Sequence, residues 1–359
     1  MEIFFNMYKV KYSKLLELLR SDNDINIGIN DTVHIFINLE TLLLKLCNTE
    51  TSQYVSITPN VKIEFIANII NLAAHYRMFF TKHKIDSKVF LYMPSLETAE
   101  YKNTIHNKEY RIYSKFKFSS GGGNLPIYKM VTETVPFIQL ILEYIQGVYF
   151  ITSGQIEPSL IPYIISEDTD DDSVKNFIVT GDLYDLQYVN HDCNIIIPNM
   201  DMSYVCTHNN TIRYLQSTYK CKGTYTFSSN FMSFILSVVG SKHRNIYSVK
   251  GIGMKSVFKI IQKAIDGKMV SNNIDNIYLL INIIKSAVRD SILANYRCVD
   301  LSFQYTQLSK KDIYDIMSQI KDKFDNVALR KINDAYFTQY PIMLQEVTAT
   351  VNRRKDVEF

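Results

Sequence analysis

Few cysteines and no long apolar run set the first bounds on this chain. Cys47, Cys193, Cys206, Cys221 and Cys298 are odd in number and scattered, and no two of them form a C-x-x-C pair. That excludes a zinc-ribbon pattern, and the thiols read as reduced groups of a cytosolic protein. No apolar stretch reaches about 18 residues without a charge, which argues against a membrane span. The opening MEIFFNMYKVKYSKLL has no basic segment leading into an apolar region and a small-residue cleavage site, so secretion is not expected. There is no G-x-x-x-x-G-K-[ST] loop, hence no support for nucleotide hydrolysis. No two histidines stand at i and i+4 around an acid, which disfavours a zinc peptidase. His191, His208 and Cys206 are too irregularly spaced for a metal site. Internal repeats and long linkers are also missing.

What is present is a chain able to bury a sizeable core. Of 359 residues, 47% are hydrophobic and 13% aromatic, enough for one large domain or two closely joined ones. Abundant Asn, Ile, Lys and Tyr suggest an AT-rich genome, compatible with a virus. A helix is expected over Tyr8–Leu19. Val33–Ile37 and Lys88–Tyr92 read as buried strands around a long amphipathic helix at Val61–Thr81, and Thr41–Cys47 begins another helix. Helices are expected at Val135–Gln146 and Glu157–Ser166, and strands at Val148–Thr152, Asn176–Thr180 and Ile195–Ile197. The rhythm predicts an α/β fold, a mainly parallel sheet flanked by helices. From Thr211 onward the pattern is helical, through Ile274–Arg297 and Lys310–Asp325. The expected division is 1–205 for the α/β part and 206–359 for the helical part.

Charge is unevenly spread. Arg213 to Lys268 holds ten Lys/Arg and one acid, Asp266, a local balance of 10 − 1 = +9 in a chain whose net charge is only +3. Within it, Gly251-Ile252-Gly253 leads into a helix carrying Lys255, Ser256, Lys259 and Lys263, with Lys250 just before the turn. Glycines let the backbone come close to a ligand, and a helix N-terminus offers unpaired N–H groups to a phosphate. This is the footprint of a surface for nucleic-acid backbone. A second basic stretch, Glu100 to Lys129, carries Lys102, Arg111, Lys115 and Lys117 among tyrosines and phenylalanines before Gly121-Gly122-Gly123. It reads as a basic flap with rings for stacking, or as a solvated loop.

Four patches in order resemble the 5′-nuclease superfamily, the flap-endonuclease-like and phage 5′-exonuclease fold with a PIN-like core. Thr180 to Gln187, TGDLYDLQ, is similar to the family's T-G-D-x-D-x-x-Q strand end. Gly240 to Lys255 aligns without a gap to G-D-x-S-D-N-I-P-G-V-x-G-I-G-x-K. Gly154 to Glu157 resembles the approach to the E-A-D-D helix, and Glu100 to Asn103 the start of the arch, with Ile105 where an Arg is expected. The resemblance implies a parallel-sheet nuclease core, an arch over about 100–130, and a helix–turns–helix (helix–hairpin–helix) element. That element would hold duplex backbone, with a potassium ion (K+) at its Gly251–Gly253 turn. Lys242 and Arg244 would join Lys250, Lys255, Ser256, Lys259 and Lys263 in that grip.

The departures fall on the acids. The family holds two Mg2+ ions with about seven carboxylates, which make the attacking hydroxide and neutralise the leaving oxygen. Here the first-strand acid is Asn38, the second-strand acid falls at Leu91 or Tyr92, and the helix aspartates are Ser159 and Leu160. The second Asp of the T-G-D-x-D pair is Tyr184, and the loop aspartates are Ser241 and Arg244. Glu157 and Asp182 remain, with Glu40 and Asp185 displaced by two residues and one. Asp182 also reads as fixing a strand-end turn through local bonds, and Glu157 as a charge at a helix start. Three functions stay open. The first is a DNA-binding, nuclease-inactive relative in a viral replication or repair complex. The second is an active Mg2+-dependent 5′-nuclease using Glu157, Asp182, Asp185 and Glu40. The third is an assembly subunit of a viral particle. The expected setting is the host cytoplasm, a viral replication compartment or a virion, with no membrane partner.

Overall fold

The computed structural model describes residues 27, 31–41, 59–94, 125–142, 147–154, 156–169, 173–198, 204–241, 246–271, 277–284 and 286–320. Six strands form one sheet: β1 (Thr32–Asn38), β2 (Asp86–Met93), β3 (Val148–Thr152), β4 (Val174–Val179), β5 (Cys193–Ile197) and β6 (Tyr204–Cys206). Their spatial order is β3-β2-β1-β4-β5-β6, parallel throughout except for β6, which runs antiparallel to β5. The mainly parallel α/β sheet is as the sequence predicts. The short β6 is not foreseen, because three residues give too little alternation to read as a strand.

Each expected strand is found within two residues of its predicted ends, since a run of apolar residues suits a strand covered on both faces. Register is fixed on one face by an aromatic ladder. Phe36, Phe90 and Tyr149 are successive cross-strand partners, with ring centroids 4.9 and 5.1 Å apart and nearly parallel planes. Slipping one strand by a residue would turn its ring to the other face, so the ladder and the pleat enforce the same pairing.

The other face is covered by α1 (Pro59–Lys82) and α2 (Leu125–Leu142), which pack on β2, β3 and each other. Pro59 suits a first helical turn, where its missing N–H leaves no bond unmade. The helix α2 begins well before the predicted Val135 and takes in Leu125–Met130 from the expected flap. Helix α3 (Leu160–Thr169) begins three residues later than predicted, after Pro158. The ladder face carries α3 and the whole basic and C-terminal half. That half comprises α4 (Thr211–Thr218), α5 (Met232–Val239), α6 (Met254–Asp266), α7 (Ile277–Ile283), α8 (Ser286–Val299), α9 (Leu301–Thr306) and α10 (Lys310–Met317). One continuous apolar cluster runs from Phe36 through Phe231, Phe234 and Phe258 to Ile316. The predicted helix at Ile274–Arg297 is thus two helices, and the last helix ends at Met317, capped at Ser318, well short of the predicted Asp325. Beyond it, the Gln319 side chain pairs with both backbone groups of Thr152 (2.9 and 3.0 Å), covering part of the β3 edge. The helices expected at Tyr8–Leu19 and over most of Thr41–Cys47 lie outside the described residues.

Candidate functional site

Strand order reverses between β1 and β4, and in an open α/β sheet the crevice at such a point lies beyond the carboxyl ends of the strands. Asn38 ends β1, and Thr180-Gly181-Asp182 follows β4 there. After Asp182 the chain turns into a 3₁₀ helix, Leu183–Tyr188, instead of continuing extended. Asp182 causes that turn: its Oδ1 accepts from the Tyr184 N–H at 2.9 Å and caps the helix.

The 3₁₀ turn exchanges the directions of two side chains. Asp185 points into the crevice and is fully buried. Its Oδ2 accepts from Thr180 Oγ1 at 2.6 Å and from Asn38 Nδ2 at 3.1 Å, while Oδ1 is buried without a hydrogen bond. Tyr184 points the other way, into the helical half. Its hydroxyl donates to Val299 O at 2.8 Å and accepts from Gln304 Nε2 at 3.0 Å. Replacing Tyr184 with Phe should therefore lower stability by about 1–2 kcal/mol, by leaving a buried carbonyl and amide short of a partner. Urea unfolding measures this, and an unchanged midpoint would remove Tyr184 from the joint between the two halves.

Burial is the main cause of unusual acidity here. It pushes the Asp182 carboxyl up to about 6, with Glu40 adding to the rise. Burial, then the charge of Asp182, pushes Asp185 up to about 7 against the pull of Thr180, Asn38 and Ser159. Glu40 is buried in the helical turn after β1. Glu157 is half-buried before α3, with its carbonyl accepting the Leu160 N–H at 2.9 Å; it precedes the helix rather than sitting in its first turn. Among the described residues no group of three or more His, Cys, Asp or Glu is arranged to hold a metal ion. Asp182 is taken up by a backbone N–H, one Asp185 oxygen by two donors, and the next acid position by a phenol turned into the core. This donor set does not fit a pair of magnesium ions, which need oxygen ligands in tight octahedral order.

The basic element is built from Gly240 onward. Gly240 has φ +72°, and a Cβ there would lie 2.4 Å from Ile246 O, so the residue must be glycine. Ser241 and Ile246 exchange two backbone bonds of 2.9 Å, and Val249 N bonds back to Val238 O at 2.8 Å. Buried Asn295 clamps the result, donating to Ser237 O and Tyr247 O, each at 2.8 Å. Gly251, at φ +83°, and extended Gly253 then deliver the chain into α6. A Cβ at either glycine would meet nothing within 4 Å, so the turn stands open to solvent.

No side chain caps the N-terminus of α6; the Ser256 and Val257 N–H groups donate to Gly253 O at 2.9 and 3.1 Å, and the positive end of the helix dipole is open to an anion. Met254, Val257, Phe258, Ile261 and Ala264 face the core. Lys250, Lys255, Ser256, Lys259 and Lys263 are all exposed, as the sequence spacing requires. Lys242 and Arg244 lie outside the described residues, as do Lys102, Arg111, Lys115 and Lys117 of the flap. The segment after α4 packs on α6: the Tyr225 and Phe258 ring centroids lie 5.0 Å apart, and the Thr226 N–H donates to Gln262 Oε1 at 2.9 Å. Sequence reasoning misses this contact, and it misses the Asn38–Asp185 bond, whose partners are 147 residues apart.

Neither a protein-family model nor a curated protein sequence matches the chain. Among solved structures, it is similar to a variant of the bacteriophage T5 5′-exonuclease, with 13% identity and a TM-score of 0.43, covering 89% of this chain and 100% of that one. It is also similar to the T5 flap endonuclease solved as a pseudo-enzyme–product complex with DNA and metal ions (14% identity, TM-score 0.45, 88% and 99% covered). A third is the T5 5′-exonuclease with zinc bound (12% identity, TM-score 0.45, 88% and 99% covered). No helix among the described residues is long and apolar enough to cross a membrane.

Proposed function

We propose that the protein binds DNA, duplex or branched with a single-stranded arm, and does not cut it by two-metal chemistry. The observation that carries this reading is the contrast between the two sites. The lysines of α6 surround an uncapped helix end and face solvent, whereas the carboxylates of the crevice are turned to internal hydrogen bonds. The amides around Gly251 and Gly253 would hold phosphate oxygens, and Lys250, Lys255, Lys259 and Lys263 would supply the salt-dependent part of affinity. A potassium ion at the Gly251–Gly253 turn belongs to the same reading, as do the division at about residue 205 and a flap at about 100–130.

Charge reversal tests it. Lys255→Glu with Lys259→Glu should weaken duplex binding by at least roughly tenfold. The dependence of log K on log salt should flatten by about 0.9 for each phosphate that is no longer neutralised. Duplex affinity equal to that of the unaltered protein would take DNA away from this element.

One atom favours a second reading, an active 5′-nuclease with a shifted acid set of Glu40, Glu157, Asp182 and Asp185: the buried Asp185 Oδ1 takes no hydrogen bond. Incubation with flap and nicked DNA in Mg2+ or Mn2+ decides between them. Scission that disappears in Asp182→Ala would put the enzyme first.

A further inference from the structure

The surface around β6 and α4 carries tyrosines that the backbone-binding role does not use. Tyr204, on the antiparallel edge strand β6, is 40% exposed, and Tyr219, just after α4, is 37% exposed. Tyr214 is half-buried between them. Its ring centroid lies 5.3 Å from that of Tyr204 at an interplanar angle of 54°. Two residues beyond α4, Lys220 takes a left-handed conformation (φ +50°); Cys221 after it is buried, and Lys220 and Lys222 are exposed on either side of it. Arg213 is exposed on the same helix. From Met202 to Ile265 the sequence has no Asp or Glu at all.

We propose that Tyr204, Tyr214 and Tyr219, with Arg213, Lys220 and Lys222, form a stacking platform for the bases of a single nucleic-acid strand. The inference rests on the DNA-binding reading and names a second part of that surface. Exposed rings interleaved with cations and free of acids match what an unpaired strand offers, namely π-faces and phosphates. A duplex hides the faces of its bases, so the rings gain little from it. The position fits as well, because the chain that leaves Lys222 packs on α6 through Tyr225 against Phe258 (5.0 Å between ring centroids) and Thr226 N–H to Gln262 Oε1 (2.9 Å). A strand parting from a duplex held at α6 would meet it directly.

The test uses the full chain, a short oligothymidylate carrying a fluorophore, the same strand with 2-aminopurine inserted, and a blunt duplex. Tyr204→Ala and Tyr219→Ala should each weaken single-strand binding by roughly 5- to 100-fold, the scale of one stacked base. Tyr204→Phe and Tyr219→Phe keep the ring and should stay within about twofold of the unaltered protein. Quenching of 2-aminopurine should weaken in the Ala variants only, while duplex affinity stays unchanged in all of them. Ala variants that bind the single strand like the unaltered protein overturn the platform. So does an unaltered protein that binds duplex and no single strand, with the α6 reading left standing. Binding of neither would overturn the DNA-binding reading together with the platform.

Discussion

Replacing Asp185 with Asn should remove most of the fall in stability expected of the unaltered protein as pH rises from about 4 to 7. In the folded chain the Asp185 carboxyl is raised to about 7, against about 4 for an unfolded aspartate. The folded state therefore holds a proton that the unfolded state releases. The stabilising contribution is complete below the unfolded pKa and is lost as pH rises through the folded one, by up to about 1.4 kcal/mol per pH unit for one group. Asp182, raised to about 6, acts in the same direction and shares the window. Its rise comes from burial and from Glu40, so it remains in Asp185→Asn as the smaller part of the fall.

Asparagine at position 185 can accept from Thr180 and Asn38 through its carbonyl oxygen and carries no charge to bury. It should leave stability at pH 5 nearly unchanged and raise it at pH 8. Denaturant midpoints across that range give the answer. A fall with pH as steep in Asp185→Asn as in the unaltered protein would mean that Asp185 is not the proton holder.

The second large effect is expected at Asn38. Its Nδ2 lies 3.1 Å from Asp185 Oδ2, while its Oδ1 accepts from the Thr41 N–H at 3.3 Å. Aspartate would keep the bond from Thr41 but set a carboxylate oxygen against Asp185, where an amide nitrogen now stands. At about 3 Å, and with an effective dielectric of roughly 20, the repulsion is on the order of 5 kcal/mol. A proton or a cation must relieve it. Asn38→Asp should thus be strongly destabilised at pH 8 without divalent ions and regain stability in millimolar Mn2+ or Mg2+. The gain would be about 3 kcal/mol at a hundredfold excess over the dissociation constant. The unaltered protein should respond little, because the neutral carboxamide already donates to Asp185 Oδ2. Equal thermal shifts with Mn2+ in both proteins would mean that the amide does not act as the substitute.

Much of the fold is legible along the chain. Strands β1 to β5 are short apolar runs, and such runs leave a chain little choice but a strand covered on both faces. The lysine row of α6 is equally legible, because helical spacing alone puts Lys255, Lys259 and Lys263 on one side and Val257, Phe258 and Ile261 on the other. Asp182 as the fixer of a turn is also accessible, since a short acidic side chain after a strand tends to bond the backbone two residues on. Asn38 can be placed at the end of the first strand from its motif position, but nothing in the motif names Asp185 as its partner.

The sequence by itself determined the parallel sheet, the uneven charge and the exposed basic helix, because each follows from the spacing of residue types near one another in the chain. Packing alone settled that Asp185 turns toward Asn38 and Tyr184 away from it, that Asn38 reaches across to Asp185, and that Tyr204 meets Tyr214. A single 3₁₀ turn and contacts between distant segments set those directions. Local patterning carries no record of where a side chain will point once another part of the chain has packed against it.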